Sequence, residues 1–272
     1  MTLPLIIVLA VIQGVTEFLP VSSSGHLVAY NELLSSKDLS GDMMVTFIIA
    51  AHIGTLLAVL AVYRREVFSL FGDDRRLIGP LFIATIPAVV IGLLVKQLEV
   101  ADDLMNPILV GSMLIVTGLV LWFGDKHREI GTSEFQAVDE LASQVSIKQS
   151  LVIGFCQAMA ILPGISRSGM TIIGGTRIGL GRTDAARFSF LMAIPVIIGA
   201  GILEGIDVFG RQNGETPPSA LINMHLLLIS IAVSGFVGFF ALRWLVRWIE
   251  RGRLSIFSYW CIPLGVLLIV LN

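Results

Sequence analysis

Six long, nearly uncharged apolar runs decide what this chain can fold into. They lie near 44–63, 77–95, 107–124, 188–208, 222–242 and 254–271. Each is long enough to cross about 30 Å of hydrocarbon as an α-helix. In lipid the backbone must satisfy its own polar groups, and continuous runs of this length do so as helices. Charge content agrees. Only 14% of the 272 residues are charged and the mean hydropathy is +0.88, against about 25% charged in a soluble domain. The expectation is an all-α polytopic membrane protein, residues 1–272 forming a single membrane domain. Cys156 and Cys261 lack metal or redox spacing and read as small core residues. No basic segment precedes the first apolar stretch, so no cleavable signal is expected. Nucleic-acid motifs are absent from the sequence.

Two further apolar stretches behave differently. One, near 3–19, runs into Pro20 and Val21-Ser22-Ser23-Ser24-Gly25; the other, near 147–162, runs into Pro163 and Gly164-Ile165-Ser166-Arg167-Ser168-Gly169. Both read as apolar helix, Leu-Pro, hydroxyl-rich break, glycine and second short helix. An offset of 143 residues places Leu19-Pro20 on Leu162-Pro163, Ser23 on Ser166 and Phe47 on Phe190. This layout reads as an internal duplication, with repeat 1 over about 1–125, a cytoplasmic loop over about 125–147 and repeat 2 over about 148–272.

Basic residues then orient the chain. If each break is the tip of a re-entrant helical hairpin, each half has three full spans, six in all. Lys37, Lys96 and Arg211 fall on one side and fourteen other basic residues on the opposite side, with Arg167 left inside the second break. The positive-inside rule makes the fourteen-charge side cytoplasmic. Three spans per half force the halves into opposite orientations, an inverted-topology repeat whose two hairpin tips meet within the membrane. Treating both stretches as full spans degrades the charge asymmetry.

Irregular polar backbone survives at membrane depth only where protein or water satisfies it, so two converging breaks mark a site. The first supplies Gln13, Glu17, Ser22, Ser23, Ser24 and His26; the second supplies Ser166, Arg167, Ser168 and Thr171. An ionised side chain costs about 2.5–3.5 kcal/mol at the bilayer centre even on insertion scales. Glu17 and Arg167 both incur that cost. Their chemistry suits phosphate. Arg167 offers a two-pronged guanidinium, and helix starts after each break offer free amides. Glu17 is a hard oxygen ligand for Mg²⁺ or Ca²⁺, with the Gln13 carbonyl beside it on the same helix face. His26 suits a general base, and a hydroxyl near it suits a nucleophile. Plainer readings stand beside these. Ser22 and Ser168 can serve close packing alone, and Glu17 with Arg167 can form a structural pair. His225 reads as structural, His127 as solvated, and His52 stays open between structure and function.

Here a family becomes recognisable. Gln13-Gly14-Val15-Thr16-Glu17-Phe18-Leu19-Pro20-Val21-Ser22-Ser23-Ser24-Gly25-His26 resembles the first signature of the bacterial undecaprenyl-diphosphatases of the bacitracin-resistance type. Pro163-Gly164-Ile165-Ser166-Arg167-Ser168-Gly169-Met170-Thr171 resembles the second. The resemblance covers the whole chain. It implies hydrolysis of undecaprenyl diphosphate to undecaprenyl phosphate and phosphate. That reaction recycles the lipid carrier for peptidoglycan and confers bacitracin resistance. It further implies a multi-pass protein of the bacterial inner membrane, a site toward the periplasm and a divalent cation, Mg²⁺ or Ca²⁺. By matching position, Glu17, Ser23, His26 and Arg167 are the expected catalytic residues, and Glu17 and Gln13 the metal ligands. Ser24, Gly25, Ser166, Arg167, Ser168 and Thr171 are expected around the substrate phosphate. Gln13 departs from the glutamate that many members carry, which weakens any clamp of two carboxylates. The expected partners are a long-chain isoprenoid diphosphate and membrane lipid, and a homodimer is compatible with the sequence. The rival reading is a secondary transporter or flippase of a lipid phosphate or other anion, because inverted repeats with broken helices also build transporters. A non-catalytic scaffold is a third, and gives Glu17 and Arg167 no purpose.

Overall fold

A computed structural model describes residues 2–34, 42–72, 75–125, 145–211, 219–251 and 253–272. Lys37, Lys126, His127, Arg128 and most of the loop expected near 125–147 lie outside the described residues. The described chain is helical throughout its regular structure. In order it forms α1 (Leu3–Thr16), α2 (Ser23–Leu34), α3 (Asp42–Val62), α4 (Arg64–Ser69), α5 (Ile78–Gln97), α6 (Ala101–Leu104) and α7 (Pro107–Asp125). The second half continues with α8 (Ile147–Met159), α9 (Arg167–Arg177), α10 (Arg182–Arg211), α11 (Ser219–Arg251) and α12 (Ser258–Leu271). Short 3₁₀ turns at Arg75–Leu77 and Leu254–Phe257 lead into α5 and α12.

Local chemistry sets where these helices start. Pro4 opens α1, where a missing amide costs nothing. Asn106 caps α7, its Oδ1 accepting from the amides of Ile108 at 2.9 Å and Leu109 at 3.3 Å. Ser146 and Gln149 form a reciprocal capping box at α8. Within the helices, hydroxyls of Thr16, Thr85 and Ser112 donate to the carbonyl four residues back, which hides them from lipid.

Six helices among the described residues are long and apolar enough to cross a membrane, at 45–62, 75–97, 107–125, 182–206, 224–250 and 254–271. Only between 22% and 39% of each span is buried within the protein. The rest presents side chains such as Phe82, Phe155, Phe236 and Phe240 outward. A water-soluble monomer rarely exposes so continuous an apolar surface. The chain is therefore a multi-pass membrane protein.

The halves pack mainly on each other. Helix α3 lies along α11, α7 along α12, α1 against α11 and α8 against α5. Small residues allow the closest approaches: a Cβ on Gly54 would overlap Ser234 Oγ and the Ile231 carbonyl, and one on Gly265 would overlap the Gly111 carbonyl. The largest buried apolar cluster joins Phe18, Tyr63, Phe188 and Phe190, so the first break rests on α3 and α10. Cys261 is buried and its thiol points at the Pro20 carbonyl at 3.7 Å, whereas Cys156 is only partly buried. His225 is exposed.

Candidate functional site

Both hydroxyl-rich stretches form helix–break–helix pairs, α1–α2 and α8–α9, and the two breaks meet. Each contains one residue in the left-handed region, Ser22 at φ 68° and Gly164 at φ 96°. For Ser22 that conformation costs about 1–3 kcal/mol and persists because its surroundings hold it. The caps are near copies. Ser22 Oγ accepts from the Gly25 amide at 3.3 Å, and Ser166 Oγ accepts from the Gly169 amide at 3.2 Å. Ser22 and Ser24 hydroxyls lie 3.2 Å apart, as do those of Ser166 and Ser168. By this geometry Ser22 corresponds to Ser166 and Ser23 to Arg167, one residue away from the register that aligns the Leu-Pro pairs. The turn absorbs the difference.

Hydrogen bonds stitch the breaks together. Ser168 Oγ donates to the Leu19 carbonyl at 3.3 Å, and the Gly164 amide donates to Ser24 Oγ at 3.5 Å. Thr117, on α7, donates to the Gly164 carbonyl at 2.9 Å and accepts from the Ser166 amide at 3.0 Å. Thr171 is fully buried, its hydroxyl engaged by the Arg167 carbonyl and Ser189 Oγ. Ser24, Ser166, Ser168 and Thr171, expected at the phosphate through their hydroxyls, thus hold the two breaks in place with those hydroxyls. What remains open to an anion is backbone. The amides of Ser23, Ser24, Arg167 and Ser168 have no partner among the described residues, and they sit at two helix starts. Gly25 contributes closeness, packed against Leu114, with its amide already in the Ser22 cap.

Glu17 is the centre. Its side chain is 8% exposed and accepts three hydrogen bonds, from both halves of the chain. Arg167 Nη2 reaches Oε1 at 2.6 Å across 150 residues of sequence. Gln13 Nε2 and Ser23 Oγ donate to Oε2 at 2.8 and 3.0 Å, and His52 Nε2 lies 3.6 Å from the same oxygen. Two buried atoms here have no partner: Arg167 Nη1 and Gln13 Oε1. An unpaired buried donor and acceptor cost about 1–3 kcal/mol each. Both belong to side chains that bond Glu17, which marks the surroundings of that carboxylate as a candidate ligand site.

His26 departs from the expectation. Its Nδ1 lies 2.7 Å from the Ser22 carbonyl, and Trp260 Nε1 donates to its Nε2 at 2.7 Å. An indole nitrogen only donates, so Nε2 accepts and the ring proton resides on Nδ1. Both nitrogens are engaged away from Ser23, whose hydroxyl points to Glu17 instead. The acceptor that faces the Ser23 hydroxyl is therefore the carboxylate. Sequence reading did not find Trp260, which lies 234 residues from His26, nor Thr117 and Ser189. His52 carried a signal, an imidazole within an uncharged apolar run, and it lands beside Gln13 at 3.2 Å.

Comparison with known proteins finds relatives that match nearly the whole chain. The family model described as Bacitracin resistance protein BacA matches residues 6–267. A protein of Rhodopirellula baltica named Undecaprenyl-diphosphatase is 44% identical over 269 residues, covering 98% of this chain and 97% of its own. Undecaprenyl-diphosphatase 4 of Bacillus cereus is 38% identical over 266 residues, covering 97% and 95%. The Undecaprenyl-diphosphatase of Christiangramia forsetii is 35% identical over 272 residues, covering 97% and 96%.

Proposed function

Because the chain belongs to the bacitracin resistance protein family, whose model spans residues 6–267, we infer that it hydrolyses undecaprenyl diphosphate, the reaction for which its relatives are named. The observation that carries the reading onto this chain's own residues is the meeting of Glu17, Arg167 and Ser23 at two helix starts. Transport of a lipid phosphate gains no support from those relatives.

The roles follow from the geometry. The diphosphate enters where Arg167 Nη1 lacks a partner and four helix-start amides are free. These donors sit where negative charge grows on the transferring phosphoryl group. Ser23 Oγ attacks the terminal phosphorus while its proton passes to Glu17 Oε2, 3.0 Å away. The new bond is Ser23 Oγ to phosphorus, and the bridging P–O bond breaks to release the isoprenoid monophosphate. Water then cleaves the phosphoserine, returning Ser23 and free phosphate. Direct attack by water held on Glu17 is the variant. His26, anchored by Ser22 and Trp260, supports the break rather than taking the proton.

A divalent cation fits the donors present. Gln13 Oε1 is an orphaned hard acceptor next to a carboxylate. Among the described residues no group of three His, Cys, Asp or Glu forms, so substrate oxygens would complete the coordination, as is usual for Mg²⁺. Bound there, Mg²⁺ or Ca²⁺ supplies charge neutralisation for the diphosphate.

Placement in the cell belongs to the same reading. The reciprocal packing of α1 on α11 and α8 on α5 supports an inverted repeat, with α1–α2 and α8–α9 as re-entrant hairpins from opposite faces. Arg64, Arg65, Arg75 and Arg76 support a cytoplasmic side for the α3–α5 connection. The site then opens toward the periplasm from the bacterial inner membrane.

Detergent-purified protein given undecaprenyl diphosphate is expected to release phosphate with Mg²⁺ or Ca²⁺ and to stop with a chelator. No release from any isoprenoid diphosphate sinks the reading. Ser23→Ala is expected to slow release by about 10²-fold or more, in the range of a lost catalytic group. Acid-quenched wild-type protein examined by mass spectrometry shows phosphate on Ser23 if that hydroxyl attacks, and none if water does. Trp260→Phe keeps the ring and removes the donor to His26. It is expected to lower turnover several-fold, about the net worth of one hydrogen bond, with KM little changed. A loss as large as that of Ser23→Ala contradicts the supporting role of His26.

A further inference from the structure

His52 is the polar group at the site that the reaction above leaves without a task. Its Nδ1 lies 2.8 Å from the Ile48 carbonyl. A carbonyl only accepts, so Nδ1 carries the ring proton and Nε2 presents a bare lone pair. That lone pair faces the Gln13 amide at 3.2 Å and Glu17 Oε2 at 3.6 Å, while the Gln13 amide is 2.8 Å from the same Oε2. Ligands about 2.1 Å from one metal at right angles lie about 3 Å apart. The three edges have the size of one face of a coordination octahedron.

Two further observations point the same way. Gln13 is 1% exposed and its Oε1 has no partner. Exchanging the amide O and N, which interchange by one rotation about the terminal bond, turns that orphan carbonyl into the triangle. The anchoring of His52 also follows the usual second shell of a metal-bound histidine, in which the other ring nitrogen donates to a backbone carbonyl. A merely structural cluster explains the two Nε2 contacts of Gln13 but leaves its Oε1 unsatisfied.

We propose that His52 is a ligand of the divalent cation, closing a Gln13–Glu17–His52 face and shifting the site's preference from Mg²⁺ and Ca²⁺ toward first-row transition ions. An all-oxygen set suits Mg²⁺ and Ca²⁺, whereas an imidazole raises affinity for softer divalent ions. The inference rests on the reading that Glu17 and Gln13 hold the cation.

The test uses full-length protein in detergent, labelled with ¹⁵N-histidine or unlabelled, and Mn²⁺ as the probe. Pulsed electron paramagnetic resonance of bound Mn²⁺ is expected to show a directly coordinated histidine nitrogen that changes with the label. His52→Glu is expected to abolish that signal, keep Mg²⁺ binding and lower the Mn²⁺-to-Mg²⁺ affinity ratio by about tenfold or more, at least what an outer-shell change costs. His52→Gln abolishes the signal too, and His26→Gln leaves it intact. Glu17→Gln removes binding of both ions. If Glu17→Gln binds Mn²⁺ like wild type, the cation is elsewhere and the underlying reading falls with the inference. Should Glu17→Gln lose the ion while wild type shows no histidine nitrogen, or His52→Glu retains it, only the His52 assignment is overturned. Thermal unfolding midpoints of the variants, measured without metal, separate misfolding from ligand loss. A His52→Glu protein that is folded and keeps the wild-type ion ratio also overturns it.

Discussion

Arg167→Lys loses phosphate release by about 10²–10³-fold, nearly as much as Arg167→Ala, although the charge is kept. The range is that of removing a donor aimed at developing transition-state charge. In the proposed reaction Arg167 performs two tasks at once. Nη2 holds Glu17 Oε1 at 2.6 Å while Nη1 stays buried and free for a phosphate oxygen. A lysine ammonium is a single point and cannot span both with a fixed plane. The variants differ in the protein left behind. Alanine strands a carboxylate that is 8% exposed, and breaking a buried pair from one side costs about 3–5 kcal/mol. Arg167→Ala therefore unfolds at a markedly lower temperature than wild type, and Arg167→Lys much closer to it. Initial rates and detergent melting curves measure both. A lysine variant retaining half the wild-type rate removes the bidentate role.

Gly164→Ala is expected to be the most damaging conservative change outside the charged groups. Gly164 sits at φ 96°, and its Cβ would overlap the Val110 carbonyl and come within 2.8 Å of Met113 Cβ. The left-handed conformation alone costs about 1–2 kcal/mol for a residue with a Cβ, and overpacking adds about 1–3 kcal/mol. The neighbour is backbone of α7 and cannot turn aside. Because Gly164 also bonds Ser24 and Thr117, the strain reaches the cap that aims Arg167. At roughly 2–4 °C per kcal/mol for a chain of this size, the melting point falls by about 5–15 °C, and release falls with it. Gly199→Ala, where nothing lies within 4 Å, is the control and changes neither. A Gly164→Ala protein with wild-type melting and rate refutes the argument.

How much of this was legible follows from the physics of each residue. The six spans and the two breaks were, because lipid imposes a length and an absence of charge that sequence displays directly. Glu17 and Arg167 were conspicuous for the same reason. The roles of Ser24, Ser168 and Thr171 were not. A hydroxyl's task depends on which carbonyl faces it, and here the partners come from the opposite break or from α10. His26 was assigned to Ser23 by closeness in sequence, but the Ser22 carbonyl and Trp260 turn its ring elsewhere. Registering the breaks on Leu-Pro put Ser23 opposite Ser166, since a one-residue difference in a turn leaves no mark in a helical pattern. The caps show Ser23 opposite Arg167.

That correspondence divides the labour between the two halves. Ser23 and Arg167 occupy matching places, and both bond one carboxylate, Glu17. The second break offers only Ala160 and Ile161 where a matching acid would stand. In the proposed reaction the halves are therefore not interchangeable: the first supplies the acid and the hydroxyl, the second the guanidinium, and one carboxylate serves both breaks.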